Sequence, residues 1–549
     1  MHTFRDEARK LTGTPFGVRA ITVGLMLACF ILVGALSING KSKTVDENSH
    51  YLYGRNILLN RDATRFDDSK MPITVLNALP RLLGRKFPSG EIRLSFMEFQ
   101  AARLVTLLFS AFVALVVFFW SRSFYGFIPA IFSLALYLLD PNILAHSQLV
   151  TTDIYAAGTT VLVFFFLWRF AHRRNLLNGL LCALSLGVSL IAKYSAIVLI
   201  PLALLTLSVF DSPRILQAYK GHQPLIVTKV LRNYFLYLAI ALIVSILVID
   251  ISFLWDRTFT RFSDYQFQSD FFRSAQQVRG LGKLLVPLPY PYLEGLDLVL
   301  KNERTGASYG NIYLLGQTRP GNDGFDGYFF IASLLKVPIA TQLIYISAFY
   351  FYIRDRQRRK KLFSDELFLF VPVLFFAIYY NFFFNAQIGI RYYLVIFPFL
   401  YVFSGHLFQN FIEFSIAKKT LVLGLMIYLL LSVFSYSPNF LSYFNEIVWD
   451  RFQAYRFLAD SNIDWGQNSD ELNEYLFVHR DAVYAPEGIQ PGHIVVSVNQ
   501  LTGVQGDPET YQWLWDNFEP VDSISYSYLI YQISPDEIMQ VCSASEYCD

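Results

Sequence analysis

Charge is scarce in this 549-residue chain: Asp, Glu, Lys and Arg make up only 16% of it, against about a quarter in a typical soluble protein. Hydrophobic residues make up 54% and the mean hydropathy is +0.38, so the composition excludes a wholly soluble protein. The net charge is only +2 and the basic residues lie in short hydrophilic gaps. Nothing therefore indicates a nucleic-acid partner.

Cysteine is also scarce, with four in the chain. Cys29 and Cys182 lie within apolar runs, whereas Cys542 and Cys548 stand close together near the C-terminus. If that tail is exported to an oxidising compartment, Cys542 and Cys548 form a disulfide; otherwise they are two unpaired thiols.

Several soluble-enzyme motifs are missing altogether. The chain has no Gly-rich phosphate loop after a strand, no His-Glu-x-x-His, no Cys-x-x-Cys and no nucleophile elbow. A soluble nucleotide substrate is thus unsupported. No internal repeat of fixed period is seen either.

Long apolar runs are what the chain has instead. A transmembrane helix needs about 20 predominantly apolar residues, and the first such run lacks the cleavage site of a signal peptide, so it is interpreted as a retained span. We predict eleven spans, near residues 18–37, 98–120, 124–140, 154–171, 176–192, 194–210, 233–254, 328–352, 366–386, 392–411 and 420–437.

Basic residues occupy every second gap between these runs. They lie before the first span and near residues 122, 169–174, 214–232, 354–361 and 418–419, which by the positive-inside rule predicts a cytoplasmic N-terminus. The opposite, extracytoplasmic side receives three hydrophilic segments, 38–97, 255–327 and 438–549. Residues 1–437 are predicted to form the membrane region. Residues 438–549, with short alternating runs such as 494–498, are predicted to form a small α/β domain.

The first external segment carries two adjacent acids, Asp46 and Glu47, followed by His50. A carboxylate at a partly dehydrated membrane surface gains a raised pKa and becomes a usable base. The alternative is local: Thr44 and Glu47 fit a capping box that begins a helix.

Other ionisable residues stand at the outer ends of spans. Asp153 directly precedes an apolar helix. Its negative charge either interacts favourably with the N-terminal end of the helix dipole or belongs to the same site as Asp46. Lys336 lies inside the eighth predicted span, Lys193 lies at the outer rim of a span, and Arg391 lies between the ninth and tenth spans. Each either extends its charge to a lipid phosphate or has a function. A guanidinium such as that of Arg391 suits a phosphodiester bidentately.

Several segments of the chain together resemble those of a known family. In chain order they are Asp46-Glu47 with His50, Met71 to Pro80, Pro141 to Asp153 with His146, Ala192 to Ser195, Lys336-Val337-Pro338, Gly389 to Tyr392, Tyr443 to Glu446 and Asp460 to Gln467. Their order and spacing resemble the GT-C class of polyprenyl-phosphate-sugar-dependent glycosyltransferases, and within it family 39, which includes protein O-mannosyltransferases and the lipid A aminoarabinose transferase. One departure lies at Met71-Pro72, where the family's first loop often has two prolines.

The resemblance implies a GT-C fold in a multi-pass protein of the bacterial inner membrane, active in glycosylation at the cell envelope. The donor would be a sugar on a polyprenyl phosphate, and the acceptor a hydroxyl of a lipid, glycan or protein. Asp46 would be the base in an inverting transfer, with Glu47 and Asp153 also catalytic. Arg391, Lys336 and Lys193 would bind the donor phosphate.

The remaining predicted site residues have supporting roles. His50 either supports Asp46 or packs, and Glu47 and Asp153 would orient the substrates or hold a divalent cation if one is needed. The last segment either lines the path of the acceptor or caps the final helix. The supporting residues are His50, His146, Tyr392, Asn462, Asp464, Trp465 and Gln467.

Two other functions are compatible with many spans. A transporter or flippase of lipid-linked sugars would share the intramembrane cations, but it would not need acids and a folded domain on one face, and the inverted repeats common in transporters are not seen. If the protein is instead a non-enzymatic assembly factor, replacing Asp46 should leave its activity intact, whereas truncating the C-terminal domain should not.

Overall fold

The computed structural model describes residues 16–60, 67–221, 224–306, 309–356 and 363–544. Up to residue 434 these residues are mostly helical, as predicted. The α-helices of this region are Phe16–Ile38, Glu47–Leu58, Val75–Gly84, Glu91–Met97, Phe99–Tyr125, Phe127–Leu138, Pro141–His146, Asp153–His172, Leu176–Leu190, Leu199–Lys220, Pro224–Ser252, Asp270–Gln277, Tyr290–Thr305, Tyr328–Lys336, Ile339–Arg354, Leu367–Phe382, Phe397–Ser404 and Ile416–Phe434.

Six of the described helices are long and apolar enough to cross a membrane, and a bent pair makes a seventh. Four shorter apolar helices, of 10–17 residues, fall where other spans were predicted. The multi-pass character is therefore confirmed, whereas the count of eleven and the orientation stay predictions. The N-terminal basic residues up to Lys10 and the basic residues 358–361 lie outside the described residues.

The bent pair joins Tyr328–Lys336 to Ile339–Arg354 at an angle of 115°. Pro338 causes the break, because it has no backbone N–H to donate and forces the residue before it out of the helical region. Val337 accordingly has an extended backbone, with φ −90° and ψ 132°. The bend places Lys336 at a helix end inside the protein, where it is 1% exposed.

The first two of the segments predicted to be external fold against one end of the spans, and we keep the names external segments and outer ends for them. Segment 38–97 forms the short helices Glu47–Leu58, Val75–Gly84 and Glu91–Met97, and segment 255–327 contains Asp270–Gln277, Tyr290–Thr305 and a hairpin. The hairpin strands are β1 (Asn311–Leu314) and β2 (Gln317–Pro320). Their two-residue turn has φ +50° and +82° at Leu315 and Gly316, the positive-φ pair that a tight hairpin requires.

The C-terminal region contains the predicted small sheet domain. Its strands are β3 (Ala482–Tyr484), β4 (Gly492–Ser497), β5 (Asp522–Ile524) and β6 (Tyr528–Ile533), in the order β3-β4-β6-β5. β3 and β4 are parallel and the other pairs antiparallel. The central strand β4 is apolar at consecutive positions because it is buried on both faces. Its α-helices are Ser469–Val478, Val498–Leu501, Gln512–Asn517 and Pro535–Ala544.

The hairpin holds this domain against the membrane region. The Leu315 N–H donates to the Phe457 carbonyl at 2.9 Å, and the Thr318 hydroxyl donates to the Thr502 carbonyl at 2.8 Å. The Asn311 side chain donates to the Gly503 carbonyl at 2.8 Å. Buried backbone groups need such partners, so the three bonds fix the domain over the outer face of the helices.

The cysteines follow the division made from sequence. Cys29 and Cys182 are free, and Cys542 is disulfide-bonded. Its predicted partner Cys548 lies outside the described residues.

Candidate active site

A large cavity opens between the external segments and the outer ends of the spans. It holds about 2420 Å³ of empty space, part of which is continuous with solvent. All three external segments contribute to its lining, together with the rims of several spans. Its charged lining residues are Asp46, Asp68, Lys70, Asp153, Lys193, Glu303, Arg391, Asp460 and Asp464.

A compact charged centre lies on one side of this cavity. Arg391 Nη1 is 3.2 Å from Asp46 Oδ2 and 4.0 Å from Asp153 Oδ2. Lys193 Nζ is 2.8 Å from the other oxygen of Asp153. Two carboxylates therefore share one guanidinium, and negatively and positively charged side chains alternate across the site. The topology brings together Asp46, Asp153, Lys193 and Arg391, as the sequence predicted for residues on one membrane face.

Asp46 is positioned by a short pairing between the first external segment and the C-terminal region. The Val45 N–H donates to the Trp465 carbonyl, and the Ser42 N–H donates to the Gln467 carbonyl, both at 3.0 Å. The helix Glu47–Leu58 then begins directly after Asp46. The Asp46 side chain is 37% exposed, so its carboxylate faces the open cavity.

Arg391 is held by its neighbours on every side. Gly389 has φ +101°, and a Cβ there would lie 2.2 Å from the Ser461 oxygen, so only glycine lets the two loops approach this closely. The Asn462 side-chain oxygen accepts from the Ile390 N–H at 3.0 Å. The guanidinium carbon lies 4.0 Å from the Trp465 ring centre, a cation–π contact that fixes its plane.

Glu47 has a different environment from its neighbour Asp46. It is fully buried, and both carboxylate oxygens accept hydrogen bonds from Arg103, at 2.9 and 2.5 Å. They also accept from the backbone N–H groups of Val150 and Thr44, each at 2.9 Å. Because every lone-pair direction is used and the side chain does not line the cavity, Glu47 joins three segments together rather than meeting a substrate. This differs from the predicted catalytic role.

The local alternative for Glu47 holds in part. Its carboxylate accepts from the Thr44 N–H, as in a capping box, but the Thr44 hydroxyl has no partner among the described residues and the helix starts at Glu47 itself.

Lys336 also lies outside the charged centre. Its ammonium group donates to the carbonyls of Leu441 and Asn462, at 2.7 and 2.5 Å, and the side chain is buried and does not line the cavity. The predicted contact with a donor phosphate is not available from this position. Lys336 instead fixes the loop that carries Asn462, which in turn fixes the backbone beside Arg391.

The predicted supporting residues divide into cavity-lining and structural ones. His50, Tyr392, Asp464 and Trp465 line the cavity, and the Tyr392 ring lies 4.0 Å from Lys193 Nζ. His146 is buried near Trp465, with ring centres 6.1 Å apart. Asn462 and Gln467 are buried and bonded to other parts of the protein. The last segment therefore both lines the cavity and docks the domain.

Burial shifts the pKa of several of these side chains. Burial lowers the pKa of His50 to about 4 and that of His146 to about 3, although nearby carboxylates oppose the shift. Both rings are therefore neutral at ordinary pH. Burial raises the pKa of Asp464 to about 6 and also raises that of Asp460.

The residues predicted to hold a divalent cation do not fit that role. Glu47 is saturated by Arg103 and backbone N–H groups, and Asp153 is paired with Lys193 and Arg391. Within the described ranges, no group of three or more His, Cys, Asp and Glu side chains is arranged to bind a metal ion.

A mostly apolar crevice of about 360 Å³ adjoins the charged centre. It shares Asp153, Lys193 and Arg391 with the cavity and continues along the span Asp153–His172 past Ala157. The crevice therefore joins a pair of cations to a mostly apolar space between the helices.

Sequence reasoning missed three kinds of residue. Arg103 gave no signal, because its partner Glu47 is 56 positions away. Asp460 stands in a segment that was singled out, and its positive φ of 58° marks it as unusual. The cavity residues of the sheet domain, among them Tyr484 and Asn499, belong to no recognisable motif.

The Glu47–Arg103 pair gives a stability prediction. Replacing Glu47 by glutamine leaves the Arg103 guanidinium buried without a counter-charge, so we expect the protein to lose about 3 kcal/mol or more of unfolding free energy. Thermal unfolding of the detergent-solubilised protein measures this loss. Asp46→Asn is the matched control, because that adjacent side chain is partly exposed and should leave the unfolding temperature near that of the wild type. Equal melting of Glu47→Gln and wild type would contradict the structural role.

One family model matches part of this chain. The model of the dolichyl-phosphate-mannose-protein mannosyltransferase family matches residues 92–249, which confirms over that range the resemblance drawn from the sequence motifs. No curated protein matches the chain.

Two proteins with solved structures of some similarity are distant from this chain in sequence. The oligosaccharyltransferase of Archaeoglobus fulgidus in the apo form is 12% identical, over 74% of this chain and 54% of that one, with a TM-score of 0.42. The chain thus spans about half the length of that protein. ArnT from Cupriavidus metallidurans in the apo state is 13% identical, over 93% of this chain and 97% of that one, with a TM-score of 0.33. The structure of the same protein bound to undecaprenyl phosphate is 13% identical, over 92% of this chain and 97% of that one, with a TM-score of 0.30.

Proposed function

We propose that the protein is an inverting glycosyltransferase that moves a sugar from a polyprenyl phosphate to an acceptor hydroxyl on the outer face of the membrane. The observation that carries this proposal is the position of Asp46. Its partly exposed carboxylate lines the polar cavity and lies 3.2 Å from Arg391. Arg391 in turn lines both that cavity and the mostly apolar crevice.

The donor fits this junction by its chemistry. A polyprenyl-phosphate sugar has an apolar tail, a phosphate and a polar sugar, in that order. The crevice would take the first part of the tail, Arg391 and Lys193 the phosphate, and the cavity the sugar. Arg391 offers several N–H donors in a plane, which suits a phosphate better than a single ammonium group does.

Donor binding would also prepare Asp46 for proton transfer. The phosphate competes with the carboxylates for Arg391, and an exposed Asp46 can release its single bond to the guanidinium more easily than the buried Asp153 can. Asp153 keeps Lys193 at 2.8 Å and so holds the phosphate-binding cations in place. We assign Asp46 to catalysis and Asp153 to positioning.

The transfer then proceeds in one displacement. Asp46 takes the proton from the acceptor hydroxyl as its oxygen attacks the anomeric carbon, the bond from that carbon to the phosphate oxygen breaks, and the phosphate leaves with the electron pair. The configuration at the anomeric carbon is inverted. Arg391 and Lys193 neutralise the charge that grows on the leaving phosphate, where a fixed cation stabilises the transition state.

Reconstitution tests this proposal. The purified full chain in vesicles is given a panel of polyprenyl-phosphate sugars, and released polyprenyl phosphate is measured against protein-free vesicles. We expect release from at least one donor. Movement of intact donors across the bilayer without any release would contradict transfer and favour a flippase.

A further inference from the structure

The cavity has a second wall, which meets the charged centre where Trp465 contacts Arg391 and which the donor does not account for. It is built by the C-terminal region and reaches over the membrane helices. Its lining residues are Asp460, Asp464, Trp465, Gly466, Tyr484, Ser497, Asn499, Gln505 and Tyr528. We call these nine residues the domain wall.

Charge is divided unequally between the two sides of the cavity. The basic residues that line it are Lys70, Lys193 and Arg391, and all of them belong to the membrane region. The domain wall contains no lysine, arginine or histidine among its described members, but it contains two carboxyl groups, Asp460 and Asp464. The cation that contacts this wall is Arg391, at Trp465, and its guanidinium is already shared by Asp46 and Asp153.

The domain wall presents polar side chains beside aromatic rings. The Tyr484 and Tyr528 rings are 6.2 Å apart in an edge-to-face arrangement. Tyr484 is 39% exposed, so part of its ring is available to a ligand. Gln505 is exposed as well.

Hydrogen bonds hold the polar members of the wall in place. Asn499 donates to the Asp464 carbonyl at 3.0 Å and accepts from the Asp460 N–H at 2.8 Å. The wall is thus a fixed surface of amide, carboxyl and hydroxyl groups next to tyrosine rings, and it does not need to order itself when a ligand binds.

Building on the proposed function, we infer that the domain wall is the acceptor subsite and that the acceptor is an uncharged glycan. Paired donors and acceptors on amide, carboxyl and hydroxyl side chains match the vicinal hydroxyls of a sugar, and a tyrosine face matches the C–H groups of a pyranose ring. The acceptor hydroxyl would then point across the cavity toward Asp46, which takes its proton.

Two other acceptor classes fit the wall less well. A phosphorylated lipid would bring its negative charge against the carboxyl groups of Asp460 and Asp464, and like charges repel. The cation that contacts the wall, Arg391, is assigned to the donor phosphate in the proposed function. A peptide is usually recognised through its main chain along a strand edge or through apolar pockets. Here only Tyr484 of the edge strand β3 reaches the cavity.

Acceptor competition tests the inference on the full chain. With a donor that supports release, we add neutral gluco-, galacto- and mannotrisaccharides, a Ser/Thr peptide and a phosphorylated disaccharide lipid, and identify the glycosylated product by mass. We expect a neutral trisaccharide to be glycosylated at least about tenfold faster than the other two classes. Faster transfer to the peptide or to the phosphorylated lipid would overturn the inference.

Wall variants provide the structural test. Tyr484→Ala and Gln505→Ala each remove a wall side chain that is not buried, and we expect the KM for the trisaccharide to rise by about tenfold. Val483→Ala is the matched control, since Val483 is the neighbouring residue on β3, is 43% exposed and is not part of the wall. Unchanged KM values in both wall variants would overturn the inference, and equal unfolding temperatures of the three variants show that folding is not the cause.

A binding measurement separates this inference from the proposed function. Trp465 lines the cavity, so trisaccharide binding in the absence of any donor should change tryptophan fluorescence in the wild type, and more weakly in Tyr484→Ala. Binding without polyprenyl phosphate release would contradict the transferase proposal alone. Release without binding of any neutral trisaccharide would contradict the glycan acceptor alone.

Discussion

Replacing Asp46 by asparagine is expected to lower the rate of polyprenyl phosphate release by about 10²- to 10⁴-fold, the range that a positioned general base contributes. Asparagine has the same shape as aspartate, so its side-chain oxygen can still accept from Arg391, but it cannot take a proton from the acceptor. The side chain is 37% exposed and has one strong partner, so the substitution should not disturb folding. The measurement compares the rate of polyprenyl phosphate release by equal amounts of folded wild type and variant.

The control for Asp46→Asn is the same chemical change elsewhere in the cavity. Asp68 also lines it, where its carboxylate accepts from Asn302 at 2.7 Å, away from the shared guanidinium. Asp68→Asn should keep most of the activity. If Asp46→Asn releases polyprenyl phosphate at the wild-type rate, Asp46 is not the base, and Asp153 becomes the acid to test next.

The second large effect is expected from Arg391→Lys, which keeps the positive charge but loses the planar guanidinium. We expect the turnover number to fall by about 10²-fold, as for the loss of one fixed donor to a developing oxyanion. A lysine cannot stack on Trp465, which now lies 4.0 Å from the guanidinium carbon, nor bind a phosphate bidentately. Initial rates over a range of donor concentrations separate the turnover number from KM.

Arg257→Lys is the matched control for this substitution. Arg257 stacks on Tyr290 at 3.7 Å, so it makes the same kind of contact outside the cavity lining, and its exchange should leave turnover near the wild-type value. If Arg391→Lys is fully active, positive charge alone is enough at that position, and the argument for a bidentate phosphate contact is wrong.

The adjacent acids show why the sequence could predict a site but not the roles within it. Asp46 and Glu47 are the same chemical group at neighbouring positions of one external segment, and both were predicted to be catalytic. Their environments differ because the helix that starts at Glu47 turns that side chain inward, where Arg103 meets it. Arg103 lies on another helix, and no local pattern connects the two residues.

The basic residues near the span rims make the same point. Lys336 and Arg391 are both basic residues within or beside apolar runs. The resemblance therefore assigned both to the donor phosphate. The bend at Pro338 turns Lys336 toward the carbonyls of Leu441 and Asn462. Arg391 instead reaches the cavity, because Gly389 and Asn462 fix the loop before it.

The sequence by itself determined the multi-pass membrane architecture and the small C-terminal sheet domain, because long apolar runs and alternating strands act through local composition and period. It also pointed to Asp46, Asp153, Lys193 and Arg391, since the order of spans predicts which residues share a membrane face. Only the tertiary structure decided that the Asp46 carboxylate is partly exposed while every oxygen lone pair of Glu47 is hydrogen-bonded. It also decided that Lys336 is buried against backbone carbonyls and that the sheet domain lines one side of the cavity. Those outcomes depend on contacts between residues far apart in the chain, and burial and charge pairing at such contacts are set by the packed structure.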